Sequence, residues 1–195
     1  MMEYINQYDY PEMPYPHPEG VYQKMEPTVA TSGCGLCSAW IVVRTLTSHR
    51  PTIEDFLQYA EDSGANFGVG TSMRLLAPYI AEKFGLTVER TKDPKRLLAH
   101  LEQGGMAIVL VDGDTERGVG LFSHIEHFIT AILYQNGEIG ILDPAWKPGK
   151  FEEEGRAGKV REEYPVLYVQ PELLVADAQK AEFPFTLFSV ADPKV

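Results

Sequence analysis

The spacing of apolar residues changes once along this chain, and that change limits its fold class more than any other feature. Up to Gly105 the apolar residues recur at helical spacing, whereas Met106–Val111 is one continuous apolar run rich in β-branched side chains. Spacings of three and four residues predict amphipathic helices, and a short β-branched run predicts a buried strand. Because helices precede strands in separate blocks, the sequence predicts an α+β fold.

Three helices are predicted before the change in spacing, besides one that begins near Cys34. Each follows a residue that favours the N-cap position and ends at a glycine, which tolerates the left-handed C-cap conformation. The N-cap residues are Thr52, Ser72 and Asp93, and the closing glycines are Gly64, Gly85 and Gly104. Thr52 and Asp55 also have the spacing of a capping box, while Pro78 lies inside the second of these helices.

A β-hairpin is predicted around Asn136-Gly137, between strands at 128–134 and 138–142. Asn-Gly favours a two-residue turn because both positions adopt positive φ. His127 precedes the first strand and Asp143 follows the second, so the hairpin brings them toward one another. In ideal register His127 faces a position near 146, and a bulge or strand twist would bring Asp143 within reach. Further strands are expected over 164–169 and 183–190, which makes the sheet mostly antiparallel.

Length and composition limit the number of domains and the class of partner. The 195 residues suit a single domain over 1–195. A proline-rich irregular arm is expected to lie over the surface at 1–30, and a charged, solvated loop at 147–163. The net charge of −11 and the pI near 4.9 exclude a nucleic-acid partner, because binding a phosphate backbone needs a Lys/Arg surplus.

The apolar segments are too short for membrane insertion. No run reaches the roughly 18 apolar residues that a membrane-spanning helix needs. The N-terminus also has neither the basic region nor the apolar region of a secretory signal. A cytoplasmic location without a membrane span is therefore expected.

Residues 31–40 place Cys34 at the start of a buried apolar helix, where Ser32 or Gly33 would be the N-cap. Unpaired amide groups and the helix dipole at such a position favour the thiolate, which is the reactive form of cysteine. With His127 as base and Asp143 to orient the imidazole, Cys34 would be a nucleophile. Each residue also has an ordinary structural explanation: a small buried apolar side chain, a strand-edge histidine and a turn aspartate respectively. His124 is a weaker alternative base.

The pair Cys34 and Cys37 has the spacing of a thioredoxin-like dithiol, which defines a second class of function. Such a motif should follow a buried strand, and residues 27–33 do not have a strand pattern. A peptidase that Cys37 inactivates reversibly by oxidation with Cys34 is a further hypothesis. A catalytically degenerate domain that binds peptides is the non-enzymatic alternative.

Five segments together resemble the papain-like cysteine peptidases of family thirty-nine, which include the double-glycine leader peptidases. They are Asn6-Gln7-Tyr8-Asp9, Ser32-Gly33-Cys34-Gly35, Gly70-Thr71-Ser72, His127-Phe128-Ile129 and Asp143-Pro144. The resemblance covers roughly residues 4–146, and with the apolar strand before residue 112 the order of the motifs makes it fairly specific. It implies a papain-like fold, with the nucleophile at a helix start and a mostly antiparallel sheet that carries the histidine and the aspartate.

The resemblance implies Cys34 as nucleophile, His127 as general base, Asp143 as its orienting residue and Gln7 as a donor to the oxyanion. The implied reaction is hydrolysis of a peptide or isopeptide bond in a peptide or protein substrate, without a metal or organic cofactor. Transfer to an amine would use the same residues and stays open. The sequence departs from the family pattern at Leu36-Cys37 and at Glu126, where a carboxylate would raise the pKa of His127 or narrow the cleft.

Overall fold

The computed structural model describes residues 2–18, 26–66, 70–116 and 118–191. Its described helices are α1 (Val29–Ser32), α2 (Cys34–Leu46), α3 (Ile53–Asp62), α4 (Met73–Phe84), α5 (Pro94–Glu102) and α6 (Pro171–Ala176), and a 3₁₀ turn covers Gln7–Asp9. Its described strands are β1 (Leu86–Thr91), β2 (Met106–Val111), β3 (His127–Gln135), β4 (Glu138–Leu142), β5 (Val160–Glu163), β6 (Val166–Val169) and β7 (Phe185–Val190). Across these ranges, no helix is both long enough and apolar enough to cross a membrane.

The strands form one antiparallel sheet in the order β1-β7-β2-β3-β4-β6-β5. Successive side chains of β2 point to opposite faces, as strand geometry requires. Met106 and Ile108 join the cluster formed with α2, α3 and α4, whereas Ala107 and Val109 join the cluster that contains Leu97 of α5 and Leu174 of α6. The sheet therefore lies between two helical layers, and α2 packs directly on β3 and β2.

The α+β prediction with a mostly antiparallel sheet is confirmed, because local signals and burial agree along most of the chain. Thr52 and Asp55 form the reciprocal capping box at the start of α3. Asn136 and Gly137 have φ angles of 55° and 82°, as the two-residue turn requires, and pair Gln135 with Glu138. The helices after Ser72 and Asp93 also form as predicted.

Two predicted surface segments differ from the structure. The N-terminal arm does not simply lie over the surface: Ile5 and Tyr15 are buried in the core, although residue 1 and residues 19–25 of the arm lie outside the described residues. The segment 147–163 is not a solvated loop throughout. It buries Lys150 and Arg156, and it ends in β5, whose backbone pairs with β6. The charged residues predicted exposure of this segment. Ion pairs compensate for the buried charges of Lys150 and Arg156, and hydrogen bonds to β6 satisfy the backbone of β5.

Candidate active site

Cys34 is the first residue of α2, and a tight helix-to-helix junction holds it there. Gly33 is the last residue before α2, and its backbone N–H donates to the Val29 carbonyl at 2.8 Å. A Cβ at Gly33 would lie 2.5 Å from that carbonyl oxygen, so only glycine fits the junction between α1 and α2. The rest of the first turns of α2 is buried, while Cys34 is half-buried and lines a cleft.

His127 and Asp143 lie at the same end of the β3–β4 hairpin, and a bulge brings them together. Near the turn Leu133 pairs with Gly140, whereas beyond the bulge Thr130 pairs with Leu142, a shift of one residue. The shift moves the residues after β4 closer to the start of β3. As a result, His127 Nε2 lies 2.8 Å from Asp143 Oδ1.

Asp143 is fully buried, and each of its carboxylate oxygens has a partner. Oδ1 accepts hydrogen bonds from His127 Nε2 and from the backbone N–H of Ala145, both at 2.8 Å. Oδ2 accepts from the Lys150 ammonium at 2.5 Å, and Lys150 also donates to the Ala145 carbonyl at 3.2 Å. A buried carboxylate with this many donors is fixed in both position and ionisation.

The pKa values of these groups favour a charged pair. Burial disfavours the Cys34 thiolate, but the hydrogen bond and charge of His127 outweigh it and lower the thiol pKa. Burial likewise lowers the pKa of His127, but Asp143 and the thiolate raise it to about 9. Burial raises the pKa of Asp143, but the charges of His127 and Lys150 lower it to about 2. At neutral pH the arrangement therefore favours thiolate, imidazolium and carboxylate.

Gln7 lies in the 3₁₀ turn and is attached to the chain that follows Asp143. Its backbone N–H donates to the Pro144 carbonyl at 2.7 Å, and the neighbouring Asn6 side chain donates to the Trp146 carbonyl at 2.8 Å. The Gln7 amide Nε2 donates to the Ala30 carbonyl at 2.6 Å, and its Oε1 is buried without a hydrogen-bond partner. A primary amide carries two N–H groups, so Gln7, which lines the cleft, has a second N–H besides the one donated to Ala30.

A cleft of about 850 Å³ contains the predicted site residues Gln7, Cys34 and His127 on its walls. Asp143 lies behind His127 rather than in the cleft. One wall comes from α1, the start of α2 and the residues before α4, and the other from the sheet. The residues along the sheet wall are Leu110, Ile125, Glu126, His127 and Phe128, of which Ile125 is 72% exposed. Glu126 is an exposed part of that wall, so a carboxylate faces whatever enters the cleft beside His127.

His124 and Cys37, the residues of the alternative assignments, do not lie in the cleft with Cys34 and His127. His124 Nδ1 lies 3.1 Å from Asp114 and its Nε2 lies 3.2 Å from Glu153, which engages both ring nitrogens outside the cleft. Cys37 is fully buried, and burial raises the pKa of its thiol. The Cys34-Cys37 pair follows the short helix α1 and not the buried strand typical of a thioredoxin-like motif.

Lys150 is the residue of this site that the sequence did not predict. Lysines in a charged, glycine-containing segment are usually solvated, and nothing in its own neighbourhood indicates burial. The signal nearest to it is Pro148-Gly149, a dipeptide that marks a turn and here returns the chain toward Asp143.

Comparison with solved structures gives the class of fold, which is that of bacterial peptidase domains. The peptidase domain of Streptococcus ComA, a bifunctional ABC transporter of a quorum-sensing pathway, matches with a TM-score of 0.54 and 15% identity over 86% of this chain and 96% of that chain. A protein described as a putative C39-like peptidase from Bacillus anthracis matches with a TM-score of 0.57 and 12% identity over 99% of this chain and 96% of that chain. A double-glycine-motif protease from an AMS/PCAT transporter, in complex with a leader peptide, is also similar, with a TM-score of 0.46, 15% identity and coverage of 92% and 94%.

The chain thus has the fold of the C39 peptidase domains, and the resemblance predicted from its sequence motifs is confirmed at the level of the fold. No protein-family model matches the sequence, and no curated protein matches it either. The roles of individual residues therefore depend on the geometry of this chain.

Proposed function

We propose that this protein is a cysteine peptidase that cleaves a peptide or isopeptide bond through a thioester on Cys34. The observation that carries the proposal is the position of His127, which lies between the Cys34 thiol on the opposite wall of an open cleft and the buried Asp143 carboxylate behind it. A nucleophile, a base and a group that orients the base form the general unit of nucleophilic catalysis. A solved structure with this fold is the peptidase domain of ComA, and a second is described as a putative C39-like peptidase, which supports the same class of substrate.

The first half of the reaction forms the acyl-enzyme. His127 Nε2 is engaged by Asp143, so Nδ1 is the ring nitrogen that holds the thiol proton. The Cys34 thiolate attacks the scissile carbonyl carbon, and the carbonyl oxygen becomes an oxyanion. The second N–H of Gln7 and the backbone N–H of Cys34 are the donors proposed for it. The imidazolium then gives its proton to the leaving amine, the C–N bond breaks and a thioester remains.

The second half of the reaction releases the acyl group. His127 takes a proton from a water molecule, whose oxygen attacks the thioester carbonyl. The C–S bond breaks, the product leaves as a carboxylic acid, and Cys34 and His127 return to their starting state. An amine that replaces the water would give a new amide by the same steps.

The experiment that tests this function is a peptide-library digest read by mass spectrometry. Wild type is compared with Cys34→Ser and, as a matched control, with Cys37→Ser, which alters the second cysteine three residues along the same helix. We expect cleaved products with wild type and Cys37→Ser and none with Cys34→Ser. An excess of a simple amine separates hydrolysis from transfer. Transfer joins the amine to the acyl product, whose mass then exceeds that of the hydrolysis product by the mass of the amine less one water.

Two results would contradict the proposal. Cleavage that persists in Cys34→Ser assigns the activity to another group or to a contaminant. Retention of particular peptides by wild type without any cleavage supports a peptide-binding domain instead.

A further inference from the structure

Lys150 is buried, although it lies in a charged segment of the chain. Its side chain is only 6% exposed, and its ammonium lies 2.5 Å from Asp143 Oδ2 and 3.2 Å from the Ala145 carbonyl oxygen. Burying an ammonium group is unfavourable unless an opposite charge compensates for it. Asp143 supplies that charge, and it is the same carboxylate that contacts His127.

The buried charges form a row of alternating sign. The thiolate of Cys34 is followed by the imidazolium of His127, the carboxylate of Asp143 and the ammonium of Lys150. Lys150 adds a positive charge at the end of the row that lies farthest from the cleft.

The other titratable groups around the row are uncharged at neutral pH, exposed to solvent or paired with a group outside the row. Burial raises the pKa of the Tyr4 and Tyr8 hydroxyls and of the Cys37 thiol, so these three stay neutral. Glu126 lies on the exposed wall of the cleft, where water screens its charge. Arg156 is a second buried cation of the same segment, but its guanidinium donates to the Gly120 carbonyl and pairs with Glu153. Lys150 is the buried cation that contacts Asp143.

We propose that Lys150 is a positioning residue for the Cys34–His127 pair, which it affects through Asp143. This inference depends on the function proposed above. Lys150 keeps Asp143 ionised, holds Oδ2 so that Oδ1 points at His127 Nε2, and sets the pH range over which the thiolate–imidazolium pair exists. It does not contact the substrate, so its effect is on the geometry and electrostatics of the pair.

The sign of the electrostatic effect follows from charge alone. A fixed positive charge favours deprotonation of any nearby group, so Lys150 lowers both the pH at which Cys34 becomes a thiolate and the pH at which His127 loses its proton. Removal of that charge raises both. Loss of Lys150 also raises the pKa of Asp143, because the Lys150 ammonium is one of the charges that lower it. When a buried charge at this distance is removed, each of these two pH values should rise by on the order of one pH unit.

The experiment measures the rate of Cys34 alkylation by iodoacetamide from pH 4 to pH 10, by intact mass, on samples whose folded fraction is known from circular dichroism. The lower inflection reports formation of the pair and the upper one reports loss of the imidazolium proton. The variants are Lys150→Met, which removes both charge and donor, Lys150→Gln, which keeps an amide donor, and Lys150→Arg, which keeps the charge. Lys147→Met is the matched control, because Lys147 is an exposed lysine of the same segment.

We expect both inflections to rise by about one pH unit in Lys150→Met and Lys150→Gln. Lys150→Arg and Lys147→Met should stay within a few tenths of a pH unit of wild type. If Lys150→Met does not fold, Lys150→Gln gives the answer, because its amide still satisfies Asp143. Unchanged inflections in a folded Lys150→Gln variant would overturn the inference while leaving the proposed function intact. A wild type that shows only the inflection of an ordinary thiol would overturn the proposed function, and this inference with it.

Discussion

Gly35, the residue after Cys34, gives the sharpest test of how tightly the proposed nucleophile must be held. A Cβ at this position would lie 2.7 Å from Thr71 Cβ and 3.1 Å from Phe128 Cδ2. Neither neighbour is free to move away: Thr71 is buried, with its hydroxyl 2.8 Å from that of Tyr15, and Phe128 follows His127 on β3. Gly35→Ala should therefore push the start of α2 away from the sheet.

The size of the effect follows from the contact distance. Carbon atoms pack at about 3.5–4 Å, so the contact with Thr71 has to open by about 1 Å. Overpacking of this kind costs about 1–3 kcal/mol, and the higher helix propensity of alanine returns up to about 1 kcal/mol. A displacement of about 1 Å between reacting groups costs about a hundredfold in rate. Gly35→Ala should thus lose at most about 3 kcal/mol of stability, but about a hundredfold in kcat/KM.

The assay pairs urea unfolding with kinetics on a peptide that the library digest shows to be cleaved. Gly70→Ala is the matched control, because Gly70 lies on the same cleft and no atom of the described residues would come within 4 Å of a Cβ there. We expect Gly70→Ala to match wild type in stability. A Gly35→Ala variant that cleaves the peptide as fast as wild type would refute the claim that close packing at Gly35 fixes the position of Cys34.

Three further predictions concern Gln7, Asp143 and Cys37. Gln7→Ala should lower kcat by about a hundredfold to a thousandfold without changing Cys34 alkylation at pH 6, because an oxyanion donor acts only in the transition state; steady-state kinetics beside alkylation rates check this. Asp143 has a pKa of about 2 in the folded protein, below its value in the unfolded chain. It therefore contributes about 2 kcal/mol to the free energy of unfolding above pH 4, and this contribution is lost as the pH falls toward 2. The urea midpoint should accordingly fall further between pH 5 and pH 3 in wild type than in Asp143→Asn. Cys37, whose thiol pKa is raised by burial, should stay reduced when peroxide oxidises Cys34, and a peptide-mapped Cys34–Cys37 disulfide would instead support the redox hypothesis.

The elements that the sequence predicted are those in which a local signal and tertiary burial agree. The Asn136-Gly137 turn specifies its own backbone conformation, and the capping box at Thr52 closes within four residues. The predicted approach of His127 to Asp143 followed from the hairpin register. The bulge that completes it is visible only in the structure, because its position depends on packing of β3 between two helical layers.

The elements that were missed depend on contacts distant in sequence. β5 consists of Val160, Arg161, Glu162 and Glu163, whose side chains predict a solvated loop, and it is a strand because β6 supplies hydrogen-bond partners. β1 lies at the other edge of the sheet, and among the described strands it pairs only with β7, whose residues come about 100 positions later. α1 has four residues and α6 has six, too few for a helical pattern to be evident.

Lys150 shows the same limit within the site. A lysine is ordinarily assigned to solvent, and only the three-dimensional arrangement reveals that it contacts a fully buried Asp143. The N-terminal arm is a second case. Proline content predicted its irregular backbone, but the hydrogen bond from the Gln7 backbone to Pro144, which links residues 137 positions apart, has no local signal.

The rate of Cys34 alkylation at pH 6 in wild type and in His127→Ala shows whether His127 activates the thiol. An ordinary thiol with a pKa near 8.5 is only about 0.3% thiolate at this pH, whereas a thiolate paired with an imidazolium is largely ionised. We expect His127→Ala to slow the reaction by about a hundredfold, and the label to map to Cys34. Equal rates in the two proteins, rising only near pH 8.5, would show that His127 does not activate Cys34 and would contradict the proposed peptidase.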